Sequence, residues 1–325
     1  MGKTILVTGA AGFIGSHLCE ALLDLNCKVI GIDNFDPFYS RREKEMNLNY
    51  CKQFPTFFFF EGSAGDSDLL NRIQQPIDVV VHLAAKAGVQ PSLKNASSYI
   101  ETNIGVTNTI LEWMHHEQVN KLVFASSSSV YGNNAKIPFE ESDPVNEPIS
   151  PYAFTKRSCE IMNYTYHSLY NFDIINLRFF TVYGERQRPD LAIRKFVHNM
   201  FSGKPIILYG DGSSARDYTY YSDTVNGIIS AINYICKHEK VWDIVNLGNN
   251  SPITLRELVK TVAEVTQIQP VLIYEKMKPG DVNITYANID RGKKILNYQP
   301  QVPLHIGIEN FVNWYRKLYL EAGDL

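Results

Sequence analysis

Tyr152 and Lys156 stand four residues apart in the stretch SPYAFTKRSCEIMNYTYHSLY, a spacing that puts both side chains on one face of a helix. Ser150 suits the N-cap of that helix and Pro151 its first turn. A phenol is protonated at neutral pH, with an ordinary pKa near ~10. A neighbouring ammonium favours its ionised form. A tyrosine so poised can take the proton of a sugar hydroxyl while the carbon beneath gives up a hydride. The spacing alone is weak, because the chain repeats it with Tyr274 and Lys278 near KPGD. That second copy has no hydroxyl-bearing strand before it and reads as chance. The first follows FASSSSVYG, residues 124–132, which sets four serines where an apolar run ends.

A hydride needs an acceptor, and the start of the chain offers a place for one. VTGAAGFIG puts Gly9, Gly12 and Gly15 directly after a short apolar strand and into a helical pattern. The first glycine permits a tight turn, the second lets backbone approach a pyrophosphate, and the third allows helix and strand to pack closely. The helix N-terminus adds N–H groups and positive potential. The spacing is GxxGxxG rather than GxGxxG. Asp33 ends the next strand, where a carboxylate accepts both ribose hydroxyls of an adenosine and repels a 2′-phosphate. NAD is therefore favoured over NADP. Arg41 and Arg42 follow in the loop and read as a solvated basic pair.

The elements that must position these residues are legible as alternating runs. TILVT (4–8), KVIGI (28–32), TFFFF (56–60), DVVVHLA (78–84), KLVFAS (121–126) and DIINLRFF (173–180) read as strands. Their nearly continuous apolar character is that of parallel strands covered on both faces, with FFFF buried. Amphipathic stretches such as IGSHLCEALLDL and IGVTNTILEWMHHE lie between them. The expected fold is α/β: a Rossmann-type doubly wound parallel sheet with a smaller C-terminal α/β substrate-binding region. The cofactor domain is expected over 1–180. A substrate region over 181–325, richer in polar Gly and Pro loops, is expected to interleave with it.

Composition excludes other classes. The 325 residues carry a net charge of −3, with no broad basic face for nucleic acid. Five scattered cysteines form no CxxC pair, which fits reduced thiols and a cytoplasmic home. The eight histidines include no HExxH, so no metal site is expected. No apolar run approaches the ~20 residues that span a bilayer, and MGKTILVTGA lacks a signal peptide's layout.

With TGAAGFIG, HLAAKAGV, FASSSSVYG, YAFTK and LRFFTVYG in order, the chain resembles the extended short-chain dehydrogenase/reductase family of nucleotide-sugar enzymes along nearly its whole length. The resemblance implies that Ser127, Tyr152 and Lys156 are catalytic, with Lys156 also holding the nicotinamide ribose. It implies an NAD site built from Gly9, Gly12, Phe13, Ile14, Gly15, Asp33, Asn34, Ser63, Ala64, Leu83, Ala84, Ala85, Lys86 and Asn103, together with Tyr152 and Lys156. Relatives that dehydrate a sugar carry Asp and Glu just before VYG, and those that decarboxylate UDP-glucuronate carry a Glu there. Here the two positions are Ser128 and Ser129, which cannot do that acid–base work. Hydroxyls guide only oxidation at C4 and its reversal, so the chain resembles a 4-epimerase, with Ser126 or Ser128 assisting Ser127 at O4.

DNFDPFYSRREKEMNL and RFFTVYGERQRPD resemble the UDP-glucuronate 4-epimerases more than the UDP-glucose enzymes. That resemblance sets Arg188 and Thr181 at the sugar carboxylate, Arg216 at the diphosphate and Asp281 at the uridine ribose. Oxidising C4 of a glucuronate gives a β-keto acid, and a bidentate arginine clamp would hold its carboxylate out of the alignment that releases CO₂. The small Thr285 leaves 2-acetamido sugars open. Two departures stand out. Ser63 replaces the usual adenine-binding Asp, leaving Asp66 as substitute, and Gln90 stands where many hexuronate enzymes have Arg. Two alternatives stay open: UDP-glucose or UDP-N-acetylglucosamine 4-epimerisation, and a non-catalytic NAD(H)-binding protein. Relatives often dimerise through the Tyr152 helix and the helix after TNIGV, so a homodimer is expected.

Overall fold

The computed structural model describes residues 2–277, 280 and 282–320. Among them the strands are β1 (Thr4–Thr8), β2 (Lys28–Asp33), β3 (Phe57–Glu61), β4 (Val79–His82), β5 (Lys121–Ser127) and β6 (Asp173–Phe179). There follow β7 (Thr181–Tyr183), β8 (Ile206–Tyr209), β9 (Ala215–Tyr220), β10 (Trp242–Leu247), β11 (Pro252–Thr254) and β12 (Leu272–Glu275). Seven of them form one parallel sheet in the order β10-β6-β5-β4-β1-β2-β3. The order reverses between β1 and β4. Loops leaving those two strands part in opposite directions, and a crevice opens at the carboxyl ends.

Alternation along β1 shows why each strand is apolar throughout. Ile5 and Val7 pack into a core with Leu18, Leu22 and Ile228, from helices Phe13–Asp24 and Tyr221–Lys237. Leu6 joins the core on the other face with Ile110, Met114 and Cys159, from helices Val106–His116 and Pro151–Tyr170. The edge differs from expectation. β3 is the last strand of the sheet, and Phe57 to Phe60 are only half-buried. Lys28 Nζ covers the Phe58 ring at 4.8 Å. The seventh strand, β10, was not anticipated. It comes from beyond residue 180 and pairs with β6 from Trp242↔Ile174 to Leu247↔Phe179.

A second layer carries its own core. β11-β9-β7 form a small mixed sheet and β12 pairs with β8. Helices Ala192–Phe201, Leu255–Thr266 and Leu304–Tyr315 pack on them through Ile193, Val197, Leu258, Val262, Ile308 and Phe311. Thr254 and Glu257 close a reciprocal cap on the second of these helices. All five cysteines are free thiols. No helix of the described residues is long and apolar enough to cross a membrane.

Candidate functional site

The crevice is a cavity of about 1040 Å³ that runs from the glycine turn to the second layer. β5 builds its middle. Register pairs His82 with Phe124, so Ala125, Ser126 and Ser127 outrun β4 and pair only with β6. The serines thus stand at an edge that opens on the cavity.

At one end the backbone makes a cradle. Gly9 has φ +73°, and a Cβ there would meet Ala84 N at 3.0 Å. A Cβ on Gly15 would lie 2.0 Å from Gly9 O, so only glycine lets the helix sit this close to the turn. Helix Phe13–Asp24 has no side-chain cap, and Phe13 and Ile14 of its first turn line the cavity with Gly12. Those uncapped N–H groups suit a diphosphate. Asp33 accepts from Ala11 N at 3.0 Å and Phe35 N at 2.8 Å. Each of its oxygens keeps a lone pair for a ribose hydroxyl. Burial raises its pKa, while the Phe35 N–H, the Lys44 charge and the Ala11 N–H work against the rise. Arg41 turns away to Glu45 at 2.7 Å and to Glu61 at 2.8 and 2.9 Å. It is therefore engaged rather than waiting for a 2′-phosphate. The cradle, the uncapped helix and Asp33 fit NAD.

Asn34, Ser63, Ala64, Leu83, Ala84, Ala85 and Lys86 also line the cavity. Two residues expected here have partners within the protein. Asn103 stands one layer back, where it accepts from Lys86 N at 2.8 Å and donates to Lys86 O at 3.0 Å and Thr155 Oγ1 at 2.9 Å. It braces the cofactor loop from a π-helical turn, Ile100–Gly105. Asp66 caps helix Ser67–Asn71, accepting from Asp68 N and Leu69 N. Both bonds fall on Oδ1. Ser63 Oγ accepts from Gly65 N at 3.1 Å.

Ser127, Tyr152 and Lys156 converge on the middle of the cavity. Ser150 caps the helix that carries Tyr152 and Lys156 by accepting from Ala153 N at 3.1 Å. Lys156 Nζ donates to Ala125 O at 2.7 Å. Burial pushes its ammonium down to about 8, against the pull of Cys159 and Glu160. Burial also raises the Tyr152 phenol, while the Ser127 hydrogen bond and the Arg188 charge pull it down. The expected depression by Lys156 is not what the protein's own groups produce. Ser127 Oγ accepts from Ser129 N at 3.2 Å and donates to Ser129 Oγ at 3.1 Å. Ser128 lines the cavity beside it.

Ser126 is also tied to the tyrosine helix. It lines the cavity, but its hydroxyl donates to Glu160 Oε1 at 2.6 Å. Glu160 is buried and bridged to Arg178 through two bonds of 2.9 Å. Burial works against its charge, but Arg178 and Ser126 hold the carboxyl below its ordinary value. This unforeseen pair fastens the end of β5 to the tyrosine helix.

The far wall holds Thr181, Arg188, Arg216 and Thr285. Thr285 Oγ1 accepts from Asp217 N at 3.2 Å. Asp281 lies outside the described residues, as does Lys278, while Tyr274 sits exposed on β12. The loop bearing Arg188 is tied to the cofactor side. Arg186 donates to Glu20 at 2.7 Å and Ser16 at 3.2 Å, and Arg194 donates to Glu43 at 2.8 Å and Gln187 O at 2.7 Å. Sequence reasoning missed four wall residues in the segment after Asp33: Asp36, Phe38, Tyr39 and Lys44. The Tyr39 hydroxyl is buried without a partner among the described residues, and Lys44 Nζ lies 4.5 Å over its ring. The aromatic–basic run FYSRREK was the available signal.

Comparison with known proteins agrees with this geometry. The family model described as the NAD dependent epimerase/dehydratase family matches residues 5–248. A UDP-glucuronate 4-epimerase of Thermodesulfobacterium geofontis is 38% identical over 96% of either chain. An uncharacterised protein of Methanocaldococcus jannaschii is 44% identical, again over 96% of each. Among solved structures, the UDP-glucuronic acid 4-epimerase of Bacillus cereus, in complex with UDP-glucuronic acid and NAD, superposes with a TM-score of 0.92 at 36% identity, covering 97% of this chain and 100% of that one. On the glycine cradle, the sheet order and these matches, the chain belongs to the NAD-dependent epimerase/dehydratase family.

Proposed function

We propose that this protein epimerises UDP-glucuronate to UDP-galacturonate at C4, using NAD within each cycle. The observation that carries the reading is a wall furnished with hydroxyls, Ser127 to Ser129, in the same cavity as Arg188. No carboxylate stands at 128 or 129 to take a C5 proton. Bound NAD supplies the hydride acceptor and, later in the same turnover, the donor. Ser127 bonds O4, and Tyr152 takes the O4 proton and returns it once the 4-keto sugar has presented its other face. Lys156 keeps a cation beside the nicotinamide ribose. Arg188 and Thr181 take the sugar carboxylate, and Arg216 the diphosphate. The second layer, with β7 and β9, is read as the sugar side of the molecule.

A second reading, epimerisation of neutral UDP-sugars, is favoured by one feature. Gln90, where an arginine would add charge, sits on helix Val89–Lys94. A panel of UDP-sugars incubated with purified protein and read by NMR separates the two. Conversion of UDP-glucuronate without conversion of UDP-glucose or UDP-N-acetylglucosamine supports the proposal, and the reverse pattern rejects it.

We also infer a homodimer. Phe154, Ile161, Tyr164 and Leu169 are 45%, 54%, 53% and 63% exposed on the tyrosine helix. Such an apolar stripe suits a second copy of the same face. Free thiols suit a cytoplasmic setting.

A further inference from the structure

A substrate carboxylate at Arg188 meets a guanidinium that already holds another. Arg188 Nε donates to Asp190 Oδ1 at 2.9 Å and Nη2 donates to Asp190 Oδ2 at 2.7 Å. This is a side-on fork, closed by a residue two positions along the same loop. Phe38, from the segment that follows Asp33, covers the guanidinium at 5.1 Å. Guanidinium N–H groups lie in one fixed plane. Asp190 takes one edge of that plane and Phe38 one face. The remaining end-on edge, Nη1 with the second hydrogen of Nη2, belongs to a residue of the cavity wall. Nη2 runs along the loop before helix Val89–Lys94, 3.5 Å from where a Cβ on Gly88 would lie.

We propose that Asp190 is a specificity-determining and positioning residue for the carboxylated sugar: it fixes the plane in which Arg188 meets the substrate, and it offsets the charge of Arg188. The inference rests on the UDP-glucuronate reading above. Its chemical consequence lies in the 4-keto intermediate. There the bond from C5 to the carboxylate carbon can break when it aligns with the carbonyl π system. Its electron pair moves into the C4 carbonyl, CO₂ leaves, and the enolate takes a proton at C5. The product is a 4-keto pentose, with the hydride left on the cofactor. A guanidinium held in one plane pins the carboxylate away from that alignment. A swinging one does not.

The test follows the fate of UDP-glucuronate on Asp190→Ala and Asp190→Asn by NMR, as the ratio of 4-keto pentose to galacturonate product. A misplacement of about 1 Å at a reacting centre can change a rate by about a hundredfold, so Asp190→Ala, which frees the guanidinium to swing, should raise the ratio by at least about tenfold. Asp190→Asn keeps an acceptor for the fork and should raise it less. Because the ratio is read per turnover, a lower yield of folded protein does not alter it. Binding to Tyr152→Phe with and without Asp190→Asn, by calorimetry, should show UDP-glucuronate held several-fold more tightly once the competing charge is gone, with UDP-glucose unmoved. An unchanged ratio in both variants, with the parent enzyme working on UDP-glucuronate, overturns the role of Asp190 alone. A parent enzyme that leaves UDP-glucuronate untouched overturns the substrate reading and this inference together.

Discussion

The hydroxyl of Tyr152 sits among groups that oppose one another. Burial raises it, and Ser127 and Arg188 pull it back, so the protein alone does not leave it ionised near neutrality. Lys156 runs the other way. Burial brings its ammonium to about 8, so it is charged at neutral pH and loses that charge as pH rises through about 8. Catalysis that needs this cation should therefore decline on the alkaline side, with a limb near that value, in kcat measured across pH 6–10 on substrate-saturated enzyme. A rate that stays level to pH 10 would remove Lys156 from the electrostatics of the step. The spacing of Tyr152 and Lys156 was readable in sequence, since a helix sets it by geometry. The partner of Ser126 was not. Glu160 reaches it only because β5 and β6 lie side by side and bring in Arg178.

At the scale of elements, the glycine turn was the most legible part of the chain, because its constraint is local. A Cβ at 15 meets backbone at 2.0 Å, whereas one at 12 meets Gly9 O at 3.2 Å. Gly15→Ala must push the first helix off the turn, at a cost of about 1–3 kcal/mol or more. It should emerge with a lowered Tm and without co-purifying NAD, while Gly12→Ala, whose Cβ has more room, keeps a Tm nearer the parent. Thermal melts and cofactor extraction read this directly, and a Gly15→Ala protein that melts and loads like the parent contradicts the cradle. β10 was illegible for the opposite reason. WDIVNL lies beyond residue 180 among loops and shorter elements, and only its register on β6 shows that it completes the sheet. The exposed edge at β3 was hidden in the same way, since FFFF gives no sign of which side lacks a neighbour.

The whole molecule adds two expectations. His82 is sealed between Thr8 and Thr107. Thr107 Oγ1 donates to Asn103 O at 2.6 Å, so it accepts from His82 Nε2 at 3.2 Å, and Nδ1 accepts from Thr8 at 2.7 Å. Burial, helped by the Lys156 charge, lowers its pKa to about 3. The unfolded chain binds that proton near pH ~6.5. The stability gained by keeping it neutral is full above that pH and drains as pH falls toward 3, by up to about 1.4 kcal/mol per pH unit. Urea unfolding between pH 7 and 4 should thus show an acid loss that His82→Asn flattens by about one proton. An unaltered slope would place the acid sensitivity elsewhere. The apolar stripe makes the second expectation. Ile161→Glu should convert a dimer to monomers in light scattering with NAD retained, and a parent that is already monomeric refutes the interface.

In the proposed reaction a hydride leaves C4 and comes back to it. UDP-glucuronate carrying deuterium at C4, turned over in ordinary water, tests this most directly. NMR of the UDP-galacturonate formed should show the label kept at C4 and no solvent exchange at C5. Loss of deuterium from C4 to water, or exchange at C5, would mean that the configuration is inverted by acid–base chemistry and not by borrowing and returning the hydride.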